Sequence, residues 1–392
     1  RPDSVNELWL TNVSPSEIVA NGPYRLVSYV MDQKVVLEKN PHYWRVDRFG
    51  NQLPYFDKLE YLIVKEDEVR LAKFMAGEID YMAITARDFP MLKSRELAGG
   101  PFTVFRAQPT QPTPSPVHIA FNFDVENKEL RELFRNTEFR RAMEYLLDRE
   151  RINDEVYNGL AIPGAGLVLP ANKAFYNPKI ESILRAYNPQ KANEILDSLG
   201  LKDKNGDKIR EFTSGKNVEF TLTVQNSPQD YQDVALIFKE DLEKAGIKVN
   251  LQILDGTLVG NMFGAGNFEA GVRAFGNQPD LELRKAIWQP GTQLYYWHYS
   301  TLDKENLLAI TKNMFDWEKR LYDLFDLGSI TTDQAKRKVI YDEVQEIYHD
   351  VLPVIFVSKG MNLFGASKTL GNVSQDKDGI VYFSSYTTYR LK

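Results

Sequence analysis

The sequence predicts a mixed α/β (α+β) protein built from two lobes. Three observations carry this. The chain has 392 residues, too many for one ordinary hydrophobic core, which points to two lobes or two to three domains. Residues 218–253 read as strand, helix and strand, the pattern of a right-handed crossover between parallel strands. Hydrophobic residues make up 43% and charged residues 26% of the chain, as in ordinary globular proteins.

Residues 21–64 read as β structure. Tyr24, Leu26 and Val35-Val36-Leu37 form short apolar pieces around the turn-like pair Asp32-Gln33. Leu59, Tyr61 and Ile63 share one face of a further strand. Val69–Met75 reads as a helix, with Val69 above Lys73, Leu71 above Met75, and Gly77 as its stop. Ile79–Ala83 then reads as a strand. Pro109, Pro112, Pro114 and Pro116 exclude helix and favour a stiff, extended loop. His118–Asn122 follows as a strand.

Helices come next. Phe139, Ala142, Met143, Leu146 and Leu147 make one buried stripe and leave Arg140, Arg141 and Glu144 outside it. Asp148 caps a second helix that ends at Gly159. Asn188 caps a third, Pro189 opens its first turn and Gly200 stops it. Its expected buried face is Ala192, Ile195, Leu196 and Leu199.

Val218, Phe220, Leu222 and Val224 alternate with polar residues, as do Ile247, Val249, Leu251 and Ile253. Between them, Ser227-Pro228 opens a helix with Val234, Phe238 and Leu242 in one row, and Gly246 ends it. Thr331–Gln334 offers a capping box for a long helix burying Ala335, Val339, Ile340, Val344 and Ile347. Pro353 ends that helix, and Val354–Val357 is a strand.

Several chemistries are excluded or disfavoured. There is no cysteine, so no disulfide, thiolate metal site or cysteine nucleophile. A net charge of -6 argues against nucleic acid as partner. The longest apolar run, Val351–Val357, has seven residues, whereas a membrane span takes about 20. His42, His118, His298 and His349 lack paired ligand spacing, so no metal is expected. No nucleophile elbow or P-loop is present. Gly264-Ala-Gly266 starts like a dinucleotide fingerprint, but Glu269 stands where its third glycine belongs. A flexible loop is the better reading there, and no cofactor is expected. The runs Glu66-Asp67-Glu68 and Asp323 with Asp326 read as solvated helix faces. A glycan-acting hydrolase using a carboxylate pair is the alternative from another class.

Six short segments occur in a fixed order: Asn21-Gly-Pro-Tyr-Arg-Leu26, Asn40-Pro-His-Tyr-Trp44, Leu53-Pro-Tyr-Phe-Asp-Lys58, Ala76-Gly-Glu-Ile-Asp80, Ile119-Ala-Phe-Asn122 and Leu352-Pro-Val-Ile-Phe356. Their order and spacing resemble the extracytoplasmic substrate-binding proteins of the peptide/nickel class, bacterial solute-binding family 5. The resemblance implies a periplasmic-binding-protein-like fold of type II. Lobe one would comprise residues 1–121 with 358–392, and lobe two residues 122–357. It further implies a monomer that holds a solute in an interlobe cleft without chemistry and delivers it to ABC permease subunits in the membrane. The location implied is extracytoplasmic, in the periplasm or on the outer face of the cytoplasmic membrane through a lipid anchor. In that family much of the first lobe precedes the Gly-Pro-Tyr segment, which here starts at residue 21. The chain is therefore expected to be an N-terminally truncated fragment. A peptide-binding chaperone or sensor domain would need no permease.

The resemblance also places a ligand. In the family an aromatic residue ends a strand, and an acidic residue shortly beyond it pairs with a peptide's free amine. Phe275 matches the aromatic position. Gly276 and Asn277 stand near the acidic one, and Asp280 lies too far along. A buried ammonium without a carboxylate is costly, so a neutral Asn277 suits a neutral ligand. Trp288 and Trp297 are candidates for stacking on sugars, and Arg273 offers its fork to a ligand carboxylate. Asn122 at the first crossing, and Met82 and Ala83 at the edge of lobe one, complete the candidates. The expected solute is an oligopeptide, with an oligosaccharide as the alternative.

Overall fold

The computed structural model describes residues 13–107, 116–170, 172–276, 278, 280–302, 313–375 and 381–391. Contacts divide the chain into a smaller unit, residues 1–108 with 362–392, and a larger unit, residues 109–361.

The smaller unit opens with β1 (Tyr24–Val30), β2 (Lys34–Lys39) and β3 (Lys58–Leu62), an antiparallel sheet in that order. Asp32 takes φ +57° in the β1–β2 turn, a conformation aspartate tolerates better than most residues. Next come α1 (Asp67–Met75), β4 (Tyr81–Ala83), α2 (Phe89–Leu97) and β5 (Phe102–Ala107). The sequence reading did not anticipate α2 or β5. A second sheet has the order β4-β12-β5, where β12 (Asn362–Ser367) is contributed by the returning chain. Gly365 on β12 lets the Phe74 ring of α1 lie against the strand, since a Cβ there would collide with it.

In the larger unit β6 (Val117–Phe121), β7 (Ala161–Pro163), β8 (Glu219–Gln225), β9 (Lys248–Leu254), β10 (Ala270–Ala274) and β11 (Val354–Gly360) form one sheet. Its order is β7-β11-β6-β10-β8-β9. The helices of this unit are α3 (Lys128–Arg135), α4 (Thr137–Tyr145), α5 (Arg149–Glu155), α6 (Pro189–Ser198), α7 (Gln229–Lys244), α8 (Gly256–Ala265), α9 (Asp316–Ile330) and α10 (Gln334–Val351), with shorter turns between. β8 and β9 are parallel and joined through α7, as their alternation predicts. β6 is antiparallel to both β10 and β11 and is buried along its whole length. Asp148 and Asn188 cap α5 and α6 by accepting the amides of Arg151 and Lys191.

Five local expectations are corrected. Gly264 is not in a flexible loop. It belongs to α8, which buries Val259 and Phe263 and closes on Gly266 at φ +75°. α9 runs from Asp316 to Ile330, where the sequence reading gave only a helix face at Asp323 and Asp326 and no bounds. α10 buries Tyr341, Val344, Gln345, Tyr348 and His349 and leaves Val339 68% exposed. Ile253 is 46% exposed, because β9 is an edge strand. Arg140 and Glu144, outside the apolar stripe of α4, are nonetheless buried. Arg140 donates to main-chain carbonyls of Phe134, Val351 and Leu352, and Glu144 pairs with Arg149 and Arg185.

Candidate functional site

Several of the proposed ligand residues converge at one end of the large sheet. There β10 ends on Arg273 and Ala274, which pair with His118 and Val117 at the start of β6. The Arg273 guanidinium carbon lies 4.9 Å from the ring centre of Phe263, 5.2 Å from Phe275 and 5.5 Å from Tyr296. Phe263 reaches this place because Gly271 has no side chain, and a Cβ there would strike the ring. Cation–π attraction to three faces holds the guanidinium. Among the described residues no hydrogen-bond acceptor or carboxylate engages it.

The rings behind Arg273 form a continuous wall. Phe275 stacks near His118 at 5.8 Å and tilts on Tyr296 at 5.6 Å. His118 Nε2 lies 2.9 Å from the Tyr296 hydroxyl, and Nδ1 lies 3.2 Å from the Pro116 carbonyl oxygen. Burial pushes the His118 pKa down to about 4, so the ring is neutral at pH 7. Trp288 and Trp297 stand 6.0 Å apart behind this layer and are both 0% exposed. Their indoles brace the wall, and neither face is open to a ligand in this conformation.

Polar groups gather around Asp230. Tyr231, in the first turn of α7, senses both Arg273 and Asp230. Lys359, near the end of β11, is buried, which pulls its ammonium down to about 7, opposed by the charge of Asp230. Burial and the charge of Asp230 raise the Tyr157 hydroxyl well above its usual range.

The other candidates lie elsewhere. Asn122 follows the opposite end of β6. Its amide donates to the carbonyls of Gly266 and Phe268 at 2.9 and 2.7 Å, and its Oδ1 accepts the Asp124 amide at 2.9 Å. Its polar atoms are thus committed to the fold. Met82 and Ala83 belong to β4 of the smaller unit, opposite Gly365 and Phe364. Gly276 follows Phe275 directly, and Asn277 falls outside the described residues. Sequence reasoning missed Phe263, whose helix it read as a loop. It also missed Lys359 and Asp230, which lie far apart in sequence and interact only through the fold.

This sheet, with an aromatic wall at its end, has the architecture of the periplasmic binding proteins. The family of bacterial extracellular solute-binding proteins, family 5 Middle, matches residues 3–300, and the chain belongs to it. An ABC transporter-binding protein of Deinococcus radiodurans is 27% identical over 357 residues, covering 87% of this chain and 58% of that protein. The oligopeptide-binding protein AppA of Bacillus subtilis is 30% identical over 241 residues, 60% of this chain and 40% of AppA. The chain thus spans less than two thirds of either relative. The periplasmic binding protein MelB of Agrobacterium fabrum, solved with stachyose, superposes with a TM-score of 0.76 at 25% identity. That match covers 90% of this chain and 54% of MelB. Among the described residues no helix is long and apolar enough to cross a membrane.

Proposed function

We propose that this chain is the solute-binding component of an ABC importer, and that it captures an oligopeptide without altering any of its bonds. Family membership supports the class, and the names of its relatives support an extracytoplasmic setting with membrane permease subunits as partners. The observation favouring a peptide is Arg273. It is a half-buried guanidinium held by three rings, with no acceptor among the described residues. Such a fork suits a carboxylate, which a peptide terminus or acidic side chain supplies and a neutral sugar does not. Phe275 and Gly276 would then contribute ring and backbone contacts, with Trp288 and Trp297 as support behind them.

An oligosaccharide is the second reading. It is favoured by the likeness to MelB and by the half-buried Phe275 as a stacking surface. The deciding experiment is calorimetric titration with peptides bearing a free C-terminus, the same peptides amidated, and stachyose. Free-acid peptides should bind, and amidation or Arg273→Met should weaken binding by about tenfold or more. Binding of stachyose alone would retire the peptide reading.

A further inference from the structure

His118 stands directly across from Arg273 in the antiparallel pair of β6 and β10. Directly opposed residues of such a pair project from the same face of the sheet, so the imidazole and the guanidinium rise side by side. Both His118 and Tyr296 are buried. The chemistry of their partners fixes the protons. The Pro116 carbonyl oxygen, 3.2 Å from His118 Nδ1, can only accept, so Nδ1 carries the hydrogen. The neutral ring then keeps a bare lone pair on Nε2, and the Tyr296 hydroxyl donates to it at 2.9 Å. That bond uses the one proton the phenol has. A charged imidazole at this place would repel Arg273.

Of the three rings around the guanidinium, two are set by their own elements. Phe263 is carried by α8 and rests over Gly271. Phe275 directly follows the end of β10. Tyr296 comes instead from the short, kinked helical turn Tyr296–Thr301. Its ring meets Phe263 edge-on at 5.2 Å and tilts on Phe268 and Phe275, each at 5.6 Å. Ring contacts alone fix an orientation loosely, whereas a hydrogen bond is directional.

We infer that His118 and Tyr296 are positioning residues for solute capture. His118 Nε2 holds the Tyr296 hydroxyl, and the ring so fixed aims the Arg273 guanidinium at a solute carboxylate. This role rests on Arg273 as the carboxylate-binding group. A guanidinium already held in its binding orientation loses less freedom when the solute arrives, which strengthens capture without a further contact.

A double-substitution cycle read by calorimetry tests this. The probes are the tightest binder from a synthetic set of free-acid tetrapeptides and the C-terminal amide of that peptide. Tyr296→Phe keeps the ring and removes only the hydroxyl. It should weaken free-acid binding about fivefold and leave amide binding unchanged. In an Arg273→Met background the same substitution should change affinity by less than about twofold, since the ring then has nothing to aim. A hydroxyl that serves only the fold would weaken acid and amide alike, with or without Arg273, and that result would overturn the role. If Arg273→Met weakens acid binding and Tyr296→Phe does not, the positioning role falls and the carboxylate reading stands. No binding, or equal binding of acid and amide by the unsubstituted chain, would overturn both. Nitrogen NMR of the His118 ring should show the hydrogen on Nδ1, and a hydrogen on Nε2 would also overturn the role.

Discussion

Arg140 shows how a single side chain escapes a pattern. It lies in the middle of α4, yet its guanidinium is buried and donates to Val351 and Leu352 at the end of α10. Those are carbonyls that a helix end leaves unpaired. Burial pulls its pKa down to about 9, so it remains charged at pH 7. Glu144 is the matching anion for buried Arg149 and for Arg185. Glu144→Gln should therefore cost about 3–5 kcal/mol in urea unfolding, because it strands a buried cation. A periodicity argument sends charges to water and cannot see carbonyls more than 200 positions away. The same limit hid the state of Trp288 and Trp297. Their residue type marks them as valuable contact area but does not say whether a ligand or the core receives it. The end of β10 at Ala274, just before Phe275, was legible because the apolar run of the strand gives way there to Gly276.

At the level of elements, the strongest signals were punctuation and alternation. Asn188 with Pro189 fixes the start of α6, and Asn188→Ala should cost about 1 kcal/mol by loss of the cap, measurable in thermal melts. The β8–α7–β9 crossover was equally plain, since two period-2 runs flank one period-3.6 run. α10 was placed correctly in the chain but turned wrongly. The reading counted only aliphatic residues, whereas the buried face also uses Tyr341, Tyr348, His349 and Gln345. Gln345 is admitted because its amide donates to the carbonyls of Phe175 and Tyr341. Val339→Lys should change stability by less than about 0.5 kcal/mol, while Val344→Ala should cost about 2 kcal/mol. Equal effects in denaturant titrations would reject the observed orientation.

For the whole molecule, pH is the broadest probe. Burial lowers His118 to about 4 and His349 to about 3, both below the ordinary 6.5. Between those values the unfolded chain binds protons that the folded chain refuses, so stability should fall as pH drops below about 6.5. Lys359 repeats the logic at the alkaline end, lowered from 10.5 to about 7. Stability should rise with pH across that interval, by up to about 1.4 kcal/mol per unit. Lys359→Met should flatten this alkaline limb in Tm measured against pH, and an unchanged limb would refute its burial. None of these shifts was legible in the sequence, because each depends on which strands surround the group.

β6 and β11 are hydrogen-bonded neighbours, and Val117 sits directly across from Ser358. The larger unit is thus entered and left at adjacent positions, about one strand spacing apart. It behaves topologically as a cassette inserted into a host, and its two cut ends would lie side by side after excision. A polypeptide of residues 116–361 should fold as an autonomous domain, and a short linker joining its ends should tolerate new termini at an exposed turn.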